Sequence, residues 1–440
     1  MPIHYRPSGS SASEVVADVE AAVRNGRLQP GAALPAVRTL AAELGLSPAT
    51  VASAYRDLRV KGIARGHRRA GTRITGAPPV TPRPPLELPP GVRDLLSGSP
   101  DPDLLPPLPE LAALRSGPVS PRLYGDPTVS PVLAEDASAR FRADGIDPSH
   151  LAVVGGALDG VERAATAWLR PGDRVAVEDP GYAPLLDLLS AMDISVVPIG
   201  LDEHGARPDL LADALRRSCS AAVLVPRAQS PTGAAWDDAR ASDLAEVLAG
   251  YPDVLIVEDD HAADVAGAPA LTVTTGRNRW VAIRSVSKSL SPDLRLAVMA
   301  GDAVTIGRVE GRQALGTGWV SYLLQEIVAA LWRDPSVQTL LQRANDTYAR
   351  RRENLIAELA AKGIAASGST GFAVWVPVAE EWSVTSALLQ RGWAVTPGER
   401  FRIASPPGIR IGIGTITPDE STRLAGDLQD SLTRRPRRTD

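Results

Sequence analysis

The sequence predicts an α/β protein in two parts, a small N-terminal module and a large domain built on a mostly parallel sheet. Three observations lead to this prediction. Helical patterns fill residues 14–62, half of the residues at 77–90 are proline, and short apolar runs then alternate with longer helical patterns. Such alternation is typical of parallel sheets covered by helices. The predicted parts are a module at 1–76, a proline-rich linker at 77–90, and a large domain at 91–435.

Composition limits the class of protein. The chain has 440 residues, of which 44% are hydrophobic and 22% charged, so a large buried core is expected. No run of about 18 apolar residues occurs, which predicts no membrane span. The first ten residues lack the layout of a secretory signal. The single cysteine, Cys219, excludes an intramolecular disulfide and a cysteine-built zinc site, and we predict no metal. These features favour the cytoplasm.

The net charge of −4 conceals an asymmetry along the chain. Residues 1–76 carry 11 Lys and Arg against 5 Asp and Glu, a net charge of +6, and the remainder carries −10. A basic module joined to an acidic body indicates that only the module contacts a polyanion. A solvated basic face without a partner is the alternative that charge alone leaves open.

The N-terminal patterns have the order of a winged helix-turn-helix. A first helical pattern is followed by a second over Ala36–Leu44, which ends at Gly45. Ser47 supplies an N-cap for a third helix, and residues 63–74 fit a β-hairpin wing. The short turn lets the third helix enter a major groove of double-stranded DNA, with Arg56 facing phosphates.

This module resembles the GntR family of transcription regulators. The resemblance covers nearly the whole module and rests on Gly26-Arg27-Leu28, Pro30-Gly31, Leu34-Pro35-Ala36-Val37-Arg38-Thr39-Leu40-Ala41, Leu44-Gly45-Leu46-Ser47, Thr50-Val51, Ala54-Tyr55, Leu58 and Gly71-Thr72. It implies that Arg38 reaches base edges of an operator, and that the DNA is also contacted by Ser47, Thr50 and the wing arginines, including Arg65, Arg68 and Arg69. A surface salt bridge is the alternative for any one arginine, and a helical bundle without nucleic acid is the alternative for the module.

The large domain contains six predicted strands: Leu151–Val154, Arg174–Val177, Ser195–Ile199, Ala221–Val225, Val254–Val257 and Trp280–Ile283. Predicted helices lie between them at Leu158–Leu169, Pro184–Ala191, Pro208–Arg217 and Trp236–Leu248. One long helix over Pro335–Ala361 is followed by two strand patterns, Gly371–Val376 and Ile409–Ile413, which predict a smaller α+β subdomain. A second proline-rich stretch, Pro100–Pro109, fits either a continued linker or an ordered arm lying across the large domain.

The most informative segment, RSVSKSLSPDLR, runs from Arg284 to Arg295 after a predicted strand. Ligands of α/β sheets bind at the carboxyl ends of strands. A lysine held there, Lys288, can form a Schiff base, and Ser285 with Arg295 can bind a phosphate. Taken alone, Lys288 also fits a solvated surface lysine.

Three further segments follow predicted strands and should reach the same edge of the sheet. A glycine turn at 155–158 opens a helix, whose N-terminus presents free N–H groups to a phosphate. Polar residues occupy 226–233. In the segment Glu258-Asp259-Asp260-His261, an acid is available to keep the pyridine nitrogen of pyridoxal 5′-phosphate (PLP) protonated. Asp259 is the candidate, and helix capping by Asp259 or Asp260 is the alternative.

These segments, in this order, resemble the fold-type I PLP-dependent aminotransferases, and most of all the MocR subgroup of GntR regulators. The resemblance spans roughly residues 91–430. Its most specific parts are Ser287-Lys288-Ser289-Leu290-Ser291-Pro292 with Leu294-Arg295, then Glu178-Asp179-Pro180-Gly181-Tyr182, and Leu123-Tyr124-Gly125-Asp126.

The resemblance implies a role for each matching residue. Lys288 forms the internal aldimine with PLP, and Asp259 pairs with the ring nitrogen. The phosphate is held by Ala157, Leu158, Ser285 and Arg295. Tyr182 lies near the ring, with an ordinary packed aromatic as the alternative. Arg410 binds a ligand carboxylate, with a structural ion pair as the alternative. A homodimer is also implied, because sites of this fold type usually lie at a subunit interface.

The sequence departs from the aminotransferase pattern at three places. Ser230 stands where the aminotransferases carry the Asn that hydrogen-bonds the 3′ oxygen of PLP. His261 stands where many relatives carry Tyr, although it can still donate a hydrogen bond. Residues 128–131 replace an expected glycine-containing segment. These departures permit Schiff-base chemistry but argue against efficient transamination.

The leading hypothesis is a transcription regulator that binds operator DNA and senses PLP, or an amino acid or amine joined to PLP, through aldimine formation at Lys288. One alternative is an active aminotransferase with an accessory DNA-binding domain. Another is a DNA-binding protein that uses the aminotransferase fold only as a dimerising scaffold.

Overall fold

The computed structural model describes residues 5–24, 27–29, 31–60, 63–67, 71–74, 88–108 and 123–433. These residues fold as two units. No helix within these ranges is both long and apolar enough to cross a membrane. Nor do the described residues include a group of three or more His, Cys, Asp or Glu side chains placed to hold a metal ion.

The N-terminal unit has the predicted winged helix-turn-helix. Its elements are α1 (Ala12–Arg24), α2 (Val37–Leu44), α3 (Pro48–Val60), β1 (Ala64–His67) and β2 (Gly71–Ile74). Gly45 ends α2 in the left-handed conformation at φ 65°, and its N–H donates to the carbonyl of Ala41. Ser47 caps α3, because its Oγ accepts the N–H of Thr50 at 3.0 Å. The two strands form the antiparallel hairpin of the predicted wing.

The core of this unit is aliphatic and small. Leu40, Val51 and Leu58 are fully buried where the three helices meet. Tyr55 is buried with them, and its hydroxyl donates to the carbonyl of Pro35 at 2.9 Å, which satisfies its polar end. The helical spacing of these apolar residues therefore fixes which face of α3 remains exposed.

The large domain contains thirteen strands and ten helices, apart from short 3-10 turns, within the described ranges. The strands are β3 (Arg93–Asp94), β4 (Leu151–Val154), β5 (Arg174–Asp179), β6 (Ser195–Asp202), β7 (Gly205–Ala206), β8 (Ala221–Leu224), β9 (Leu255–Asp260), β10 (Trp280–Ser285), β11 (Ala297–Gly301), β12 (Ala373–Pro377), β13 (Trp393–Ala394), β14 (Thr396–Pro397) and β15 (Gly408–Gly412). The helices are α4 (Pro131–Ala143), α5 (Ala157–Trp168), α6 (Ala183–Ala191), α7 (Pro208–Leu215), α8 (Asp238–Ala249), α9 (Ala303–Ala314), α10 (Tyr322–Arg333), α11 (Pro335–Ala361), α12 (Glu381–Gln390) and α13 (Pro418–Thr433).

The main sheet has eight strands in the order β4-β11-β10-β9-β8-β5-β6-β7. The central pairs β10·β9, β9·β8 and β8·β5 are parallel, as predicted. These strands are apolar along their length because helices cover both faces of such a sheet. The carboxyl ends of β4, β5, β8, β9 and β10 meet at one edge, and this edge positions the site.

Two strands of this sheet, the short edge strand β7 and the longer β11, were absent from the prediction. β11 lies antiparallel between β10 and β4. No crossover helix separates β10 from β11, and a parallel return requires a crossover of a dozen or more residues. The short connection between these strands, which holds the Lys288 segment, therefore leads directly into an antiparallel partner.

The small subdomain carries the antiparallel sheet β12-β15-β14, next to the long helix α11. The predicted strands at 371–376 and 409–413 correspond to β12 and β15. Strand β3, at the start of the domain, pairs in parallel with β13 of this subdomain.

The second proline-rich stretch is an ordered arm over the described residues 100–108. The backbone N–H of Asp101 donates to the hydroxyl of Tyr348 at 2.9 Å, and its carboxylate pairs with Arg351 at 2.9 Å. Both partners lie on α11. Of the two alternatives for this stretch, the ordered arm is correct.

Cys219 is buried between α7 and β8, and its Sγ lies 3.2 Å from the carbonyl oxygen of Ala214. Burial raises the pKa of this thiol above its ordinary value.

Candidate cofactor site and DNA-binding face

A cavity of about 430 Å³ opens at the carboxyl edge of the main sheet. All ten residues that the sequence predicted for a cofactor and a ligand carboxylate line it: Ala157, Leu158, Tyr182, Ser230, Asp259, His261, Ser285, Lys288, Arg295 and Arg410. They come from six separate stretches of the chain. The common edge of the strands brings five of these stretches together, and the small subdomain supplies Arg410.

Lys288 follows β10 and points its amine into this cavity. Its Nζ donates to the backbone carbonyl of Gly98 at 2.6 Å. Burial and the nearby positive charge of Arg410 lower the pKa of Lys288 to about 8. A substantial fraction of the amine is therefore unprotonated near neutral pH, and this form attacks carbonyl groups. Lys288 is thus not a solvated surface lysine.

Asp259, at the end of β9, is buried and has an oxygen without a partner. Its Oδ1 accepts no hydrogen bond within the described structure. Burial, followed by the charge of Asp260, raises the pKa of Asp259 to about 7. A buried acceptor without a donor is costly, and a protonated ring nitrogen in the cavity would relieve that cost.

Asp260 has the opposite surroundings. Its carboxylate accepts from Arg227 at 2.9 and 2.7 Å and from Arg284 at 3.0 Å. These arginines hold its pKa at about 2 despite burial. Asp260 also accepts the N–H of Ala263, which begins a 3-10 turn. The capping alternative therefore applies to Asp260 and is wrong for Asp259.

A cradle for an anion lies where β4 gives way to α5. Gly156 precedes the helix at φ +113°, and the first N–H groups of a helix, here those of Ala157 and Leu158, have no intrahelical partner. Arg295 takes the left-handed conformation at φ 44°, and its Nη2 donates to the carbonyl of Gly155 at 3.0 Å. A Cβ on Gly156 would lie 2.9 Å from this Nη2, so only glycine allows this approach. Helix N-terminus and guanidinium together suit a phosphate.

His261 and Tyr182 also line the cavity. Burial, followed by the charge of Lys288, lowers the pKa of His261 to about 4, so the imidazole is neutral and carries one N–H donor. Tyr182 is 40% exposed in this chain while lining the cavity.

Arg410, on β15, enters the cavity from the small subdomain. Its Nη1 donates to the carbonyl of Leu96 at 3.2 Å, its Nε is buried without a partner, and its guanidinium carbon lies 5.6 Å from the ring centre of Phe401. Burial lowers its pKa to about 10. It makes no ion pair with any described residue, so the structural ion pair is wrong, and its donors suit a carboxylate.

Several residues that line the cavity were missed in the sequence. They are Ser97, Gly98 and Ser99 just before the arm, Gln229 after β8, and the aromatic residues Phe372 and Phe401. Gln229 lies inside the polar segment at 226–233 and could have been found there. Its Nε2 donates to the carbonyl of Pro180 at 2.8 Å, which ties two rim loops together. Phe372 lay within the predicted strand Gly371–Val376, but nothing in the sequence marked it or the other four as residues of a site.

The predicted DNA contacts with described side chains are Arg38 on α2, Ser47 and Thr50 at the start of α3, and Arg56 on α3. Arg38, Ser47 and Arg56 are exposed, and Thr50 is half-buried with its Oγ1 2.8 Å from the Oγ of Ser47. Neither Arg38 nor Arg56 forms an ion pair with another residue in the described part of the chain. For Arg65, on β1, only the backbone is described. Arg68 and Arg69 lie outside the described residues.

Comparison with known proteins separates the chain into the same two parts. Residues 110–428 match the family of aminotransferases of class I and II, and residues 11–74 match the gntR family of bacterial regulatory proteins. The chain is 38% identical over 435 residues to the vitamin B6 salvage pathway transcriptional repressor PtsJ of Salmonella typhimurium, covering 97% of this chain and 99% of that one. The chain belongs to the GntR-family regulators that carry an aminotransferase domain.

Other similarities agree with this membership. The regulator is 23% identical to the HTH-type pyridoxine biosynthesis transcriptional regulator PdxR of Corynebacterium glutamicum, over 98% of both chains. Its large domain has the fold of the multiple substrate aminotransferase of Thermococcus profundus, with a TM-score of 0.71, 20% identity, and coverage of 78% of this chain and 92% of that one. The regulator is therefore a PLP-dependent, DNA-binding protein. The unpartnered oxygen of Asp259, the cradle at Gly156 and the amine of Lys288 fit this cofactor.

Proposed function

We propose that this regulator carries PLP on Lys288 and changes its affinity for operator DNA when PLP, or PLP together with an amino acid or amine, occupies the site. The observation that supports this most is the pairing of two unusual groups in one cavity. Lys288 is a buried amine of lowered pKa, and Asp259 is a buried acid without a donor. PLP supplies an aldehyde that captures amines and a ring that accepts electrons.

Each remaining side chain of the cavity has a role in this proposal. Ala157, Leu158, Ser285 and Arg295 hold the phosphate, and Asp259 holds the proton on the ring nitrogen. Tyr182 lies against the ring, while Ser230 and His261 serve its 3′ oxygen. Arg410 binds the carboxylate of an amino acid effector, because its guanidinium has free donors and no competing anion.

The DNA-binding face recognises the operator in the same proposal. Arg38 reads base edges, Ser47 and Thr50 contact the backbone at the start of α3, and Arg56 neutralises a phosphate. The regulator acts as a homodimer on paired half-sites. It works in the cytoplasm, where bacterial DNA lies. The names of the two regulators described above support genes of vitamin B6 metabolism as its targets.

A visible absorption spectrum with added PLP, before and after borohydride reduction, tests the cofactor part. We expect a band in the wild type that borohydride traps irreversibly, and no such band in Lys288→Ala. The chain has three lysines, and Lys362→Ala, at the exposed end of α11, is the matched control that should keep the band. Mass spectrometry of the reduced protein should place the cofactor on Lys288. If the wild type shows no such band, the large domain serves only as a dimerising scaffold.

Titration of a DNA fragment selected in vitro from random sequences tests the regulatory part. Fluorescence anisotropy should give an affinity that changes when PLP, or PLP with an amino acid, is added. An affinity that never changes would contradict the proposal, because a ligand shifts only states that it binds differently. Steady turnover of an amino acid with a keto acid would instead identify an aminotransferase.

A further inference from the structure

The segment Leu95–Asp101, which leads into the arm, runs along the cofactor cavity and is here called the strap. Ser97, Gly98 and Ser99 within it line the cavity. Its first end is fixed to the small subdomain, where the N–H of Leu95 donates to the carbonyl of Ala394 at 2.9 Å. Its second end is fixed to α11 by the ion pair between Asp101 and Arg351. The strap is therefore tied at both ends and free to respond between them.

The middle of the strap holds both cations of the cavity. Lys288 donates to the Gly98 carbonyl at 2.6 Å, and Arg410 donates to the Leu96 carbonyl at 3.2 Å. Gly98 and the guanidinium of Arg410 lie close together. A Cβ on Gly98 would lie 2.0 Å from Nη2 of Arg410, so a side chain at this position would push the guanidinium and the strap apart.

A ligand in the cavity competes for these two cations. When Lys288 condenses with an aldehyde, its nitrogen forms the C=N bond, and its two hydrogens leave with the aldehyde oxygen as water. The neutral Schiff-base nitrogen then has no hydrogen left to donate to Gly98. A carboxylate on Arg410 likewise attracts the guanidinium more strongly than the neutral carbonyl of Leu96 does. The first event leaves the Gly98 carbonyl without its donor, and the second leaves the Leu96 carbonyl with the Thr396 hydroxyl, at 3.0 Å, as its remaining donor.

The strap also lies close in sequence to the linker. Only residues 91–94 separate it from the proline-rich linker at 77–90, which leads to the DNA-binding module. We propose that Leu96 and Gly98 are positioning residues whose carbonyls hold Arg410 and Lys288 in the ligand-free regulator, and that a ligand taking over these cations releases the middle of the strap, between its ties at Leu95 and Asp101. This inference rests on the proposed function. By linkage, DNA that favours one strap position must change ligand affinity by the same factor.

Hydrogen exchange of the full-length regulator, read by mass spectrometry over residues 95–101, tests the strap. Three probes separate its two contacts. PLP condenses with Lys288, and N-(5′-phosphopyridoxyl)-L-alanine brings a carboxylate to Arg410. Pyridoxamine 5′-phosphate fills the same site but has neither an aldehyde for Lys288 nor a carboxylate for Arg410. We expect the first two probes to accelerate exchange on the order of fivefold or more, the effect of losing one hydrogen bond. Pyridoxamine phosphate should leave exchange unchanged, and an equal response to all three probes would overturn the inference.

Variants extend the test. In Gly98→Ala, the amide hydrogens of the strap should exchange rapidly without any ligand, because the added Cβ displaces the strap while Lys288 and Arg410 remain. Lys288→Ala should also exchange rapidly and show no further response to PLP, whereas Lys362→Ala should behave as the wild type. Arg410→Gln should respond to PLP and not to the alanine conjugate. Slow exchange in ligand-free Gly98→Ala, with an unfolding midpoint like that of the wild type, would overturn the inference.

The absorption band of the same samples distinguishes the two proposals. A PLP band with unchanged strap exchange overturns the strap inference and leaves the proposed function intact. The absence of a PLP band in the wild type overturns the proposed function, and the strap inference with it.

Discussion

Asp259 and Asp260 are consecutive residues of one strand with opposite surroundings. Asp260 is bound by two arginines, and Asp259 has an oxygen without any partner in the described structure. Successive side chains of a strand point to opposite faces of the sheet. One carboxylate therefore belongs to an ion-pair cluster that stabilises the fold, and the other belongs to the cavity.

Asp260→Asn should destabilise the protein. The substitution leaves Arg227, which is buried, without its anionic partner, and breaking a buried pair costs about 3–5 kcal/mol. Urea unfolding measures the loss. Asp264→Asn is the matched control, because Asp264 forms a partly exposed pair with Arg140 and should cost about 1 kcal/mol or less. Equal losses in both variants would contradict this assignment.

Asp259→Asn should weaken PLP binding without destabilising the fold. The cofactor-free protein should unfold no more easily than the wild type, because an unpaired buried acid is removed. Its PLP affinity should fall about 30-fold or more, since losing one member of a buried charge pair costs ~2 kcal/mol or more. Titration of the absorption band measures this affinity. The exposed Asp238→Asn on α8 should bind PLP as the wild type does.

The stability of the cofactor-free protein should fall as pH rises from about 4 to about 7. The pKa of Asp259 is raised from 3.8 to about 7 on folding, so in this window the unfolded chain has lost a proton that the folded chain keeps. The raised pKa values of Glu178, about 8, and Glu258, about 7, act in the same direction. Asp260 acts oppositely, since its pKa of about 2 gives stability that is lost as pH falls from 4 to 2. His261, whose pKa is lowered from 6.5 to about 4, also acts oppositely and offsets part of the decline, which the three acids outweigh.

Urea midpoints across this pH range measure the decline. It should be shallower in Asp259→Asn by up to about 4 kcal/mol, the equivalent of a shift of roughly three pH units. A decline of the same size in the variant and the wild type would show that Asp259 is not the group that titrates.

Ser47→Ala should weaken the DNA-binding module. It removes the side-chain acceptor for the N–H of Thr50, and loss of an N-cap costs about 0.5–2 kcal/mol. Thermal unfolding of the full chain, followed by a probe in the module, measures this change. Ser53→Ala in the interior of α3 is the control and should be neutral or slightly stabilising, because alanine has the higher helix propensity.

Arg38→Ala and Arg56→Ala should weaken DNA binding in different ways. Loss of a base contact at Arg38 should cost about 1–3 kcal/mol and relax specificity. Loss of a phosphate contact at Arg56 should weaken binding to all DNA sequences similarly. It should also reduce the slope of log affinity against log salt concentration by about 1. Anisotropy titrations at several salt concentrations separate these outcomes, and two identical profiles would contradict the division of roles.

The sequence predicted the cavity well for a physical reason. Lys288 and Asp259 each follow an apolar strand, and parallel strands bring their carboxyl ends to one edge, so local patterns were enough to place both. Gly98 escaped prediction because it acts through a backbone carbonyl, which every residue has, and its partner Lys288 is 190 residues away. The antiparallel β11 was missed because its apolar run adjoins the lysine segment without a turn signal of its own.

The sole cysteine gives the molecule a practical property. Cys219 is buried and its thiol is held in the protonated form, which reacts slowly with alkylating reagents. Cysteines introduced at exposed positions of the DNA-binding module and of the large domain can therefore take up fluorescent dyes selectively in the native protein. A donor and acceptor pair placed in this way would report the distance between the two parts, molecule by molecule, as ligand is added.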